Sequence, residues 1–396
     1  AAADEQACLC CAVVCRTELP PGHQLSAMHV LSLATPSAMS LRAALACLNG
    51  SSSPAYRLPS LASRHSHYKE VHRVLSPWLH FPFASWPTYP GYSGPWIENK
   101  WIDHFQPRAK DTGLAQFTPF VPLFVPWIDI WRASGMTYPQ AFVNALQKTL
   151  MPDQFLYVTV SQSDQGLPAG RWDWVHLFRS TLQLSSGGYG HVVLPLLGKQ
   201  MQPLKHRTPM HARDLAASYM GSMSHAPHGM RARMVESLQR AAVRTNETTH
   251  TGFVRDFVDV MARSRLQLCP RGFGRAAFHV AEAVQLGLLP VYVYSDVPWL
   301  PYPKLIEQIV WQTSVGSAED TFVGLLGLTP DQLEAREAAV LRWRHLFTFE
   351  GAMAQIDAFL HNDRAGHLAC TALPPNFRGD RGRPANAPLT RPLYLS

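Results

Sequence analysis

Hydrophobic positions lack a sustained period over residues 1–66, which are rich in Ala, Ser and Leu and read as a poorly ordered segment. Regular patterns appear further on. In residues 138–150 (YPQAFVNALQKTL), Phe142, Val143, Leu146 and Leu150 recur at helical spacing and predict a helix. The β-branched and aromatic run Phe155–Val160 (FLYVTV) predicts a buried strand that ends in the turn-rich loop SQSDQGLPAG. A second strand is expected over His191–Leu197, behind the glycine-rich turn SSGGYG. Met230–Val243 then reads as a basic helix carrying Arg231, Arg233 and Arg240, with Arg244 just beyond it.

The second half alternates more cleanly. A helix is expected over Phe253–Ala262 and a strand over Leu266–Cys269. A turn follows at Pro270–Gly274, then a helix over Arg275–Leu286 stopped by Gly287, then a strand over Pro290–Tyr294. Short strand–turn–helix–strand connections are the building block of parallel α/β layers. Thr329–Phe347 reads as a long charged helix with Pro330 at its first position, and Phe349–Leu360 as another.

Two regions read differently. From His67 to Pro126 prolines and aromatics crowd together, as in SPWLHFPFASWPTYPGYSGPWIENKW, and so many prolines argue against a long helix there. Trp78, Trp86, Tyr89, Tyr92, Trp96 and Trp101 are expected to pack in the core rather than to stack on sugar rings. From residue 371 the chain is rich in Pro, Arg and Gly and reads as a mobile tail.

Composition changes the picture little. The 396 residues are 46% hydrophobic, which suits two or three globular domains rather than global disorder. A net charge of +7 favours anionic partners, but Lys and Arg are spread along the chain and not massed in a block. No nucleic-acid recognition motif is present, so nucleic acid is not an expected partner. Cys8, Cys10, Cys11 and Cys15 have no second pair at zinc-ligand spacing, so no metal site is expected. Seven cysteines give no readable disulfide framework, and Cys269 reads as a core residue. No apolar run reaches 18 residues, and Met28–Cys47 fails the same criterion.

The candidate chemistry lies in Arg265–Tyr302. A loop at the carboxyl end of a parallel strand faces the ligand crevice of an α/β sheet. Gly272 and Gly274 allow backbone amides to approach an anion closely, and the following helix presents its positive end. Arg271 and Arg275 add permanent charge with bidentate geometry for a diphosphate. Glu282, two turns along the helix, is placed for ribose hydroxyls. Asp296, in the next loop (YSDVPWLPY), suits either a ligand hydroxyl or a turn cap. Together these features point to a nucleoside diphosphate.

The run LCPRGFGRAAFHVAEAVQLGLLPVYVYSDVPWLPY resembles the donor-binding half of the exostosin glycosyltransferases (glycosyltransferase family 47). Pro270, Gly272, Glu282, Ala283, Gly287, Pro290 and Val291 match the family pattern, whereas Ala277 and His279 stand where it has Ser and Arg. Upstream, DQFLYVTVSQSDQG is similar to the family's Asp-His-Phe-Phe strand and His-Asp loop through Asp153, Phe155 and Asp164, with Gln154 and Ser163 replacing its histidines. The likeness spans roughly residues 150–360.

The resemblance implies an α/β fold of two Rossmann-like lobes facing a crevice (GT-B type) with disordered ends. The expected divisions are a poorly ordered segment (1–66), an acceptor-side lobe (67–245), a nucleotide-sugar lobe (246–365) and a tail (366–396). It implies inverting transfer from a nucleotide sugar, a UDP-sugar, to a glycan or glycoprotein acceptor. No Asp-x-Asp pair occurs in the chain, so a metal-independent reaction without a cofactor is expected, with arginines and amides on the phosphates; His279 can join them only when protonated, and otherwise Arg271 and Arg275 compensate for the family's Arg. Asp164 is the first candidate for the general base and His191 the second. Golgi membrane residence is expected from the family alone. The alternative is a catalytically silent glycan- or nucleotide-binding protein on the same scaffold. No oligomeric state can be read.

Overall fold

The computed structural model describes residues 38–48, 56–79, 92, 94–111, 113–167, 174–363 and 365–371. Two all-parallel sheets organise them. The front sheet runs in the order β1 (Phe120–Pro122), β2 (Leu156–Ser161), β3 (Thr181–Ser185) and β4 (Val192–Val193). Around it lie α1 (Leu41–Cys47), α2 (Leu61–Leu75), α3 (Ile97–Asp111), α4 (Trp127–Ala133), α5 (Gln140–Thr149) and α6 (Trp174–Leu177).

The back sheet contains β5 (Leu215–Tyr219), β6 (Thr249–Thr251), β7 (Ser264–Pro270), β8 (Leu289–Tyr294) and β9 (Trp311–Ser314), in the spatial order β6-β5-β7-β8-β9. Its helices are α7 (Met230–Thr245), α8 (Phe257–Arg263), α9 (Phe278–Leu286), α10 (Ile306–Ile309), α11 (Ala318–Leu326) and α12 (Pro330–Trp343). The last helix, α13 (Phe349–Leu360), packs against α3 of the front lobe. This is the expected α/β fold with two parallel-sheet lobes.

The sequence explains why these elements form. β2, β3 and β5 are buried along their whole length, as parallel strands covered on both faces must be. The face of α5 predicted from its periodicity, Phe142, Val143 and Leu146, has no exposed surface. A capping box between Thr329 and Gln332 opens α12, with Pro330 in its first turn. Gly287, at φ +78°, ends α9 in the left-handed conformation that only glycine adopts without strain.

Several expectations need correction. The lobe boundary lies within residues 194–214 and not at 245, because β5 pairs in parallel with β7 and belongs to the back sheet. The sequence LAASY is too short and too poor in large apolar residues to announce that strand. Within residues 1–66, α1 and the start of α2 are ordered elements. Met39 N–H donates to Leu360 O at 2.9 Å, so tertiary contacts supply what local pattern lacks. The 15-residue α3 lies inside the His67–Pro126 region, where the prolines predict no long helix; its N-terminus falls just past Pro95 and it accommodates Pro107 internally.

Further differences are local. The strand expected over His191–Leu197 shrinks to Val192–Val193, before Pro195, which has no N–H to give a ladder. Helix α9 begins at Phe278, not Arg275, because the residues between are held in a turn. Helix α8 likewise starts at Phe257 rather than Phe253. Cys47 and Cys370 form a disulfide, a link with no signature in the cysteine spacing, since 323 residues separate them. The free Cys269 is buried in the core as expected.

The aromatic crowd divides as predicted where it is described. Tyr92, Trp96 and Trp101 are buried and Trp78 is partly so, while Trp86 and Tyr89 lie outside the described residues. The tail beyond residue 371 also lies outside them.

Candidate functional site

The carboxyl ends of β2 and β3 in the front lobe meet the carboxyl end of β7 in the back lobe. Ligand crevices of parallel sheets form at such ends. The Arg275 amide donates to Gly187 O at 3.0 Å, and its Nη1 reaches Gly188 O at 3.4 Å. The Arg275 guanidinium lies 4.3 Å from the centre of the Tyr189 ring. A Cβ on Gly274 would sit 2.1 Å from Gly187 O and 2.7 Å from Asp164 Oδ1, so the approach of the lobes requires glycine there.

The β7–α9 turn is organised by arginines. Arg271, 1% exposed, donates from Nε to Gly274 O at 3.0 Å and from Nη2 to Phe273 O at 3.1 Å. Its Nη1 reaches Ser295 Oγ at 3.0 Å and Asp296 Oδ1 at 2.5 Å. Arg275 Nε takes the other oxygen of Asp296 at 2.7 Å. Burial pushes the Asp296 carboxyl up, but Arg271, the Val297 amide and Arg275 together hold it below the usual carboxylate range. Asp296 therefore clamps both arginines as their counter-ion, a contact that neither sequence-level option included.

Glu282 and His279 lie along α9, with His279 Nε2 and Glu282 Oε2 3.8 Å apart. Burial, with the nearby Arg231 charge, lowers the His279 pKa to about 4. Burial thus favours the neutral ring at pH 7, which leaves the positive charge of this turn to the arginines, the other course the sequence left open. Gly272 has room on one side: a Cβ there would meet Ala276 O at 3.7 Å, His225 O at 3.9 Å and Arg231 Nη2 at 4.0 Å.

Arg231 is a buried neighbour of this turn that sequence reasoning did not place there. From the first turn of α7 its guanidinium donates twice to Arg271 O, at 3.0 and 3.2 Å, and once to Ser222 O at 2.8 Å. A cation in the first turn of a helix opposes the helix dipole, but the sequence does not record that this one is buried.

The two base candidates have different surroundings. Asp164 is open to solvent, yet protein surrounds it closely enough that desolvation raises its pKa to about 6, against the pull of Arg271, the Gly274 amide and Arg132. A carboxylate both wet and ringed by protein is what the floor of a crevice provides. His191 is buried, and its Nδ1 accepts the Gln183 amide at 3.0 Å. Burial lowers its pKa to about 4. Its backbone joins the front sheet to the C-terminal segment, through Thr371 N–H to His191 O at 2.7 Å. The structure thus brings Asp164 together with the Gly274 amide and the charges of Arg271 and Arg132, and engages the His191 ring within the sheet.

No family model matches the chain, and no curated protein matches it. Among solved structures, TarM overlaps 58% of this chain with 9% identity and a TM-score of 0.35. The GtfA/B complex overlaps 57% with 12% identity and a TM-score of 0.32. A mutant of S. aureus TarM in complex with fondaparinux, alpha-GlcNAc-glycerol and UDP overlaps 57% with 11% identity and a TM-score of 0.32. The matched part spans about half the length of each of these chains, 47–49%. Overlaps this partial carry no weight for activity.

Proposed function

We propose that this chain is an exostosin-like glycosyltransferase that moves a sugar from a UDP-sugar to a glycan or glycoprotein acceptor, with inversion and without a metal. One observation carries the reading: Asp164, a solvent-open carboxylate of the front lobe, meets the arginine-rich β7–α9 turn of the back lobe. An inverting displacement needs those two things on opposite sides of one reaction centre. A base with a pKa near the working pH takes the acceptor proton, and fixed positive charge receives the departing diphosphate. Asp164 supplies the first, and Arg231, Arg271 and Arg275 the second, with Gly272 as the open approach. Glu282 is assigned to the ribose.

The disulfide supports an oxidising, secretory compartment, in keeping with the Golgi lumen. No helix among the described residues is long and apolar enough to cross a membrane.

The test is a thermal-shift panel of UDP, GDP and UDP-sugars, followed by donor turnover with and without a chelator. Specific stabilisation by UDP compounds grows with ligand concentration by mass action. No shift with any nucleotide overturns the donor site, and turnover lost to the chelator overturns metal independence. A catalytically silent binder is the second reading. It is favoured by the Gly272 and Arg275 amides and the Arg271 guanidinium, which already bond within the protein. UDP binding without turnover against an acceptor panel would establish it.

A further inference from the structure

The proposed reaction makes no use of the most deeply buried carboxylate of the front lobe. Glu98 stands at the second position of α3 with no exposed surface. Its Oε1 accepts the Gln162 amide at 2.8 Å, and its Oε2 accepts the Ile128 amide at 2.8 Å. Gln162 is the residue immediately after β2 and lies two before Asp164. Ile128 belongs to the first turn of α4. One carboxylate thus ties the starts of two helices to the end of a strand. Gln162 returns the contact, its Oε1 accepting the Ile97 amide at 3.2 Å.

Beside this junction Asp129, also without exposed surface, accepts Trp96 Nε1 at 3.1 Å and Asn99 Nδ2 at 2.7 Å. Asn99 Oδ1 in turn accepts the Trp96 amide at 2.6 Å. Placing two carboxylates here is costly: burial, with Asp129 adding to it, pushes the Glu98 carboxyl up to about 8 even against its two amide donors. An apolar side chain would fill the space at less cost. Ionised, above that pKa, it offers what an apolar group or an amide does not, two acceptor oxygens, one for each N–H; below it one of the oxygens carries a proton. The far side of the same loop is fixed separately, since a Cβ on Gly187 would lie 1.9 Å from Ser163 O.

We propose that Glu98 is a positioning residue that fixes the 162–164 loop and so aims the Asp164 carboxylate at the β7–α9 turn. The proposal rests on the reading of Asp164 as the base. Glu98→Gln is the informative change, because it keeps the shape but turns one of the two acceptors into an NH₂ facing an N–H. Three full-length variants would be compared with the parent at pH 9, where Glu98 is ionised, and across the pH range for the rate profile: E98Q, E98D and D164N.

In hydrogen–deuterium exchange, E98Q is expected to speed exchange at 162–165 on the order of tenfold, as loss of one buried hydrogen bond implies, while the back lobe stays unchanged. With a UDP-sugar donor, E98Q is expected to lower kcat by about 10²-fold, the cost of a misplaced group, with donor KM unchanged. The acid limb of its pH–rate profile should also move away from the parent's. E98D, which keeps both acceptor oxygens, should recover part of the loss. Unchanged exchange at 162–165, or equal acceleration throughout the chain, overturns the proposal. So does full turnover in E98Q when D164N is inactive. Retained turnover in D164N removes the base reading instead, and the exchange result alone then decides whether Glu98 fixes the loop.

Discussion

The two lobes bring opposite chemistry to the ends of their sheets. At the front, buried or crevice-lining carboxylates dominate: Glu98 and Asp129 behind the loop, Asp164 on it. At the back, buried guanidiniums dominate: Arg231, Arg271 and Arg275 around the turn, with Asp296 as a shared counter-ion. Both sets are costly to bury and both are held by hydrogen bonds, so neither is a by-product of packing. The difference teaches that a near-uniform scatter of charge along the chain can fold into a polarised crevice. One wall carries carboxylates and the other guanidiniums, which is the arrangement the proposed reaction calls for.

The polarity can be broken from either side. The largest effect is expected from Asp164→Asn, which leaves UDP binding in place but lowers turnover by about 10²–10⁴-fold, measured with saturating donor. The parent's rate should fall as pH drops through about 6, where Asp164 gains its proton, and that limb should vanish in the variant. Next is Arg271→Ala, which leaves two backbone carbonyls and one oxygen of Asp296 without their donor. Removing one partner of a buried ion pair costs about 3–5 kcal/mol, readable by urea unfolding, and the UDP-dependent thermal shift should weaken as well.

Cys370→Ser tests the front lobe away from the crevice. It should cost about 2–4 kcal/mol, with nucleotide affinity unchanged. The smallest effect is one of sign. The folded-state pKa of Asp164 lies above its ordinary value of 3.8, so ionisation works against folding as pH rises from 3.8 through about 6. Asp164→Asn should therefore raise the melting temperature slightly at pH 7–8 and leave it unchanged below pH 3.8. A lowered melting temperature at pH 7–8 would mean that the carboxylate is a structural anchor.

Much of the back wall was legible because its elements are local. Strand, turn, helix and strand follow one another over 31 residues, Ser264–Tyr294, and each has its own punctuation in Pro270, Gly272, Gly274 and Gly287. The front wall was legible only at Asp164, since its loop follows a strongly patterned strand. Glu98 and Asp129 read as ordinary acids in the first turns of α3 and α4, and nothing in the sequence records that tertiary contacts bury them. Arg231 was hidden for the same reason: its partner carbonyls, on Ser222 and Arg271, lie 9 and 40 residues away. β5 escaped notice because pairing with β6 and β7, and not its own short run of small residues, makes it a strand. His279 was placed correctly on α9, but its charge state depends on burial that spacing does not encode.

Helix α13 returns to the front lobe, and the chain beyond it bridges from Cys370 to Val192 in β4. The backbone therefore passes between the lobes twice, once through residues 194–214 and once ahead of α13. Two covalent crossings, together with the Cys47–Cys370 disulfide, tether the lobes more tightly than a single linker would.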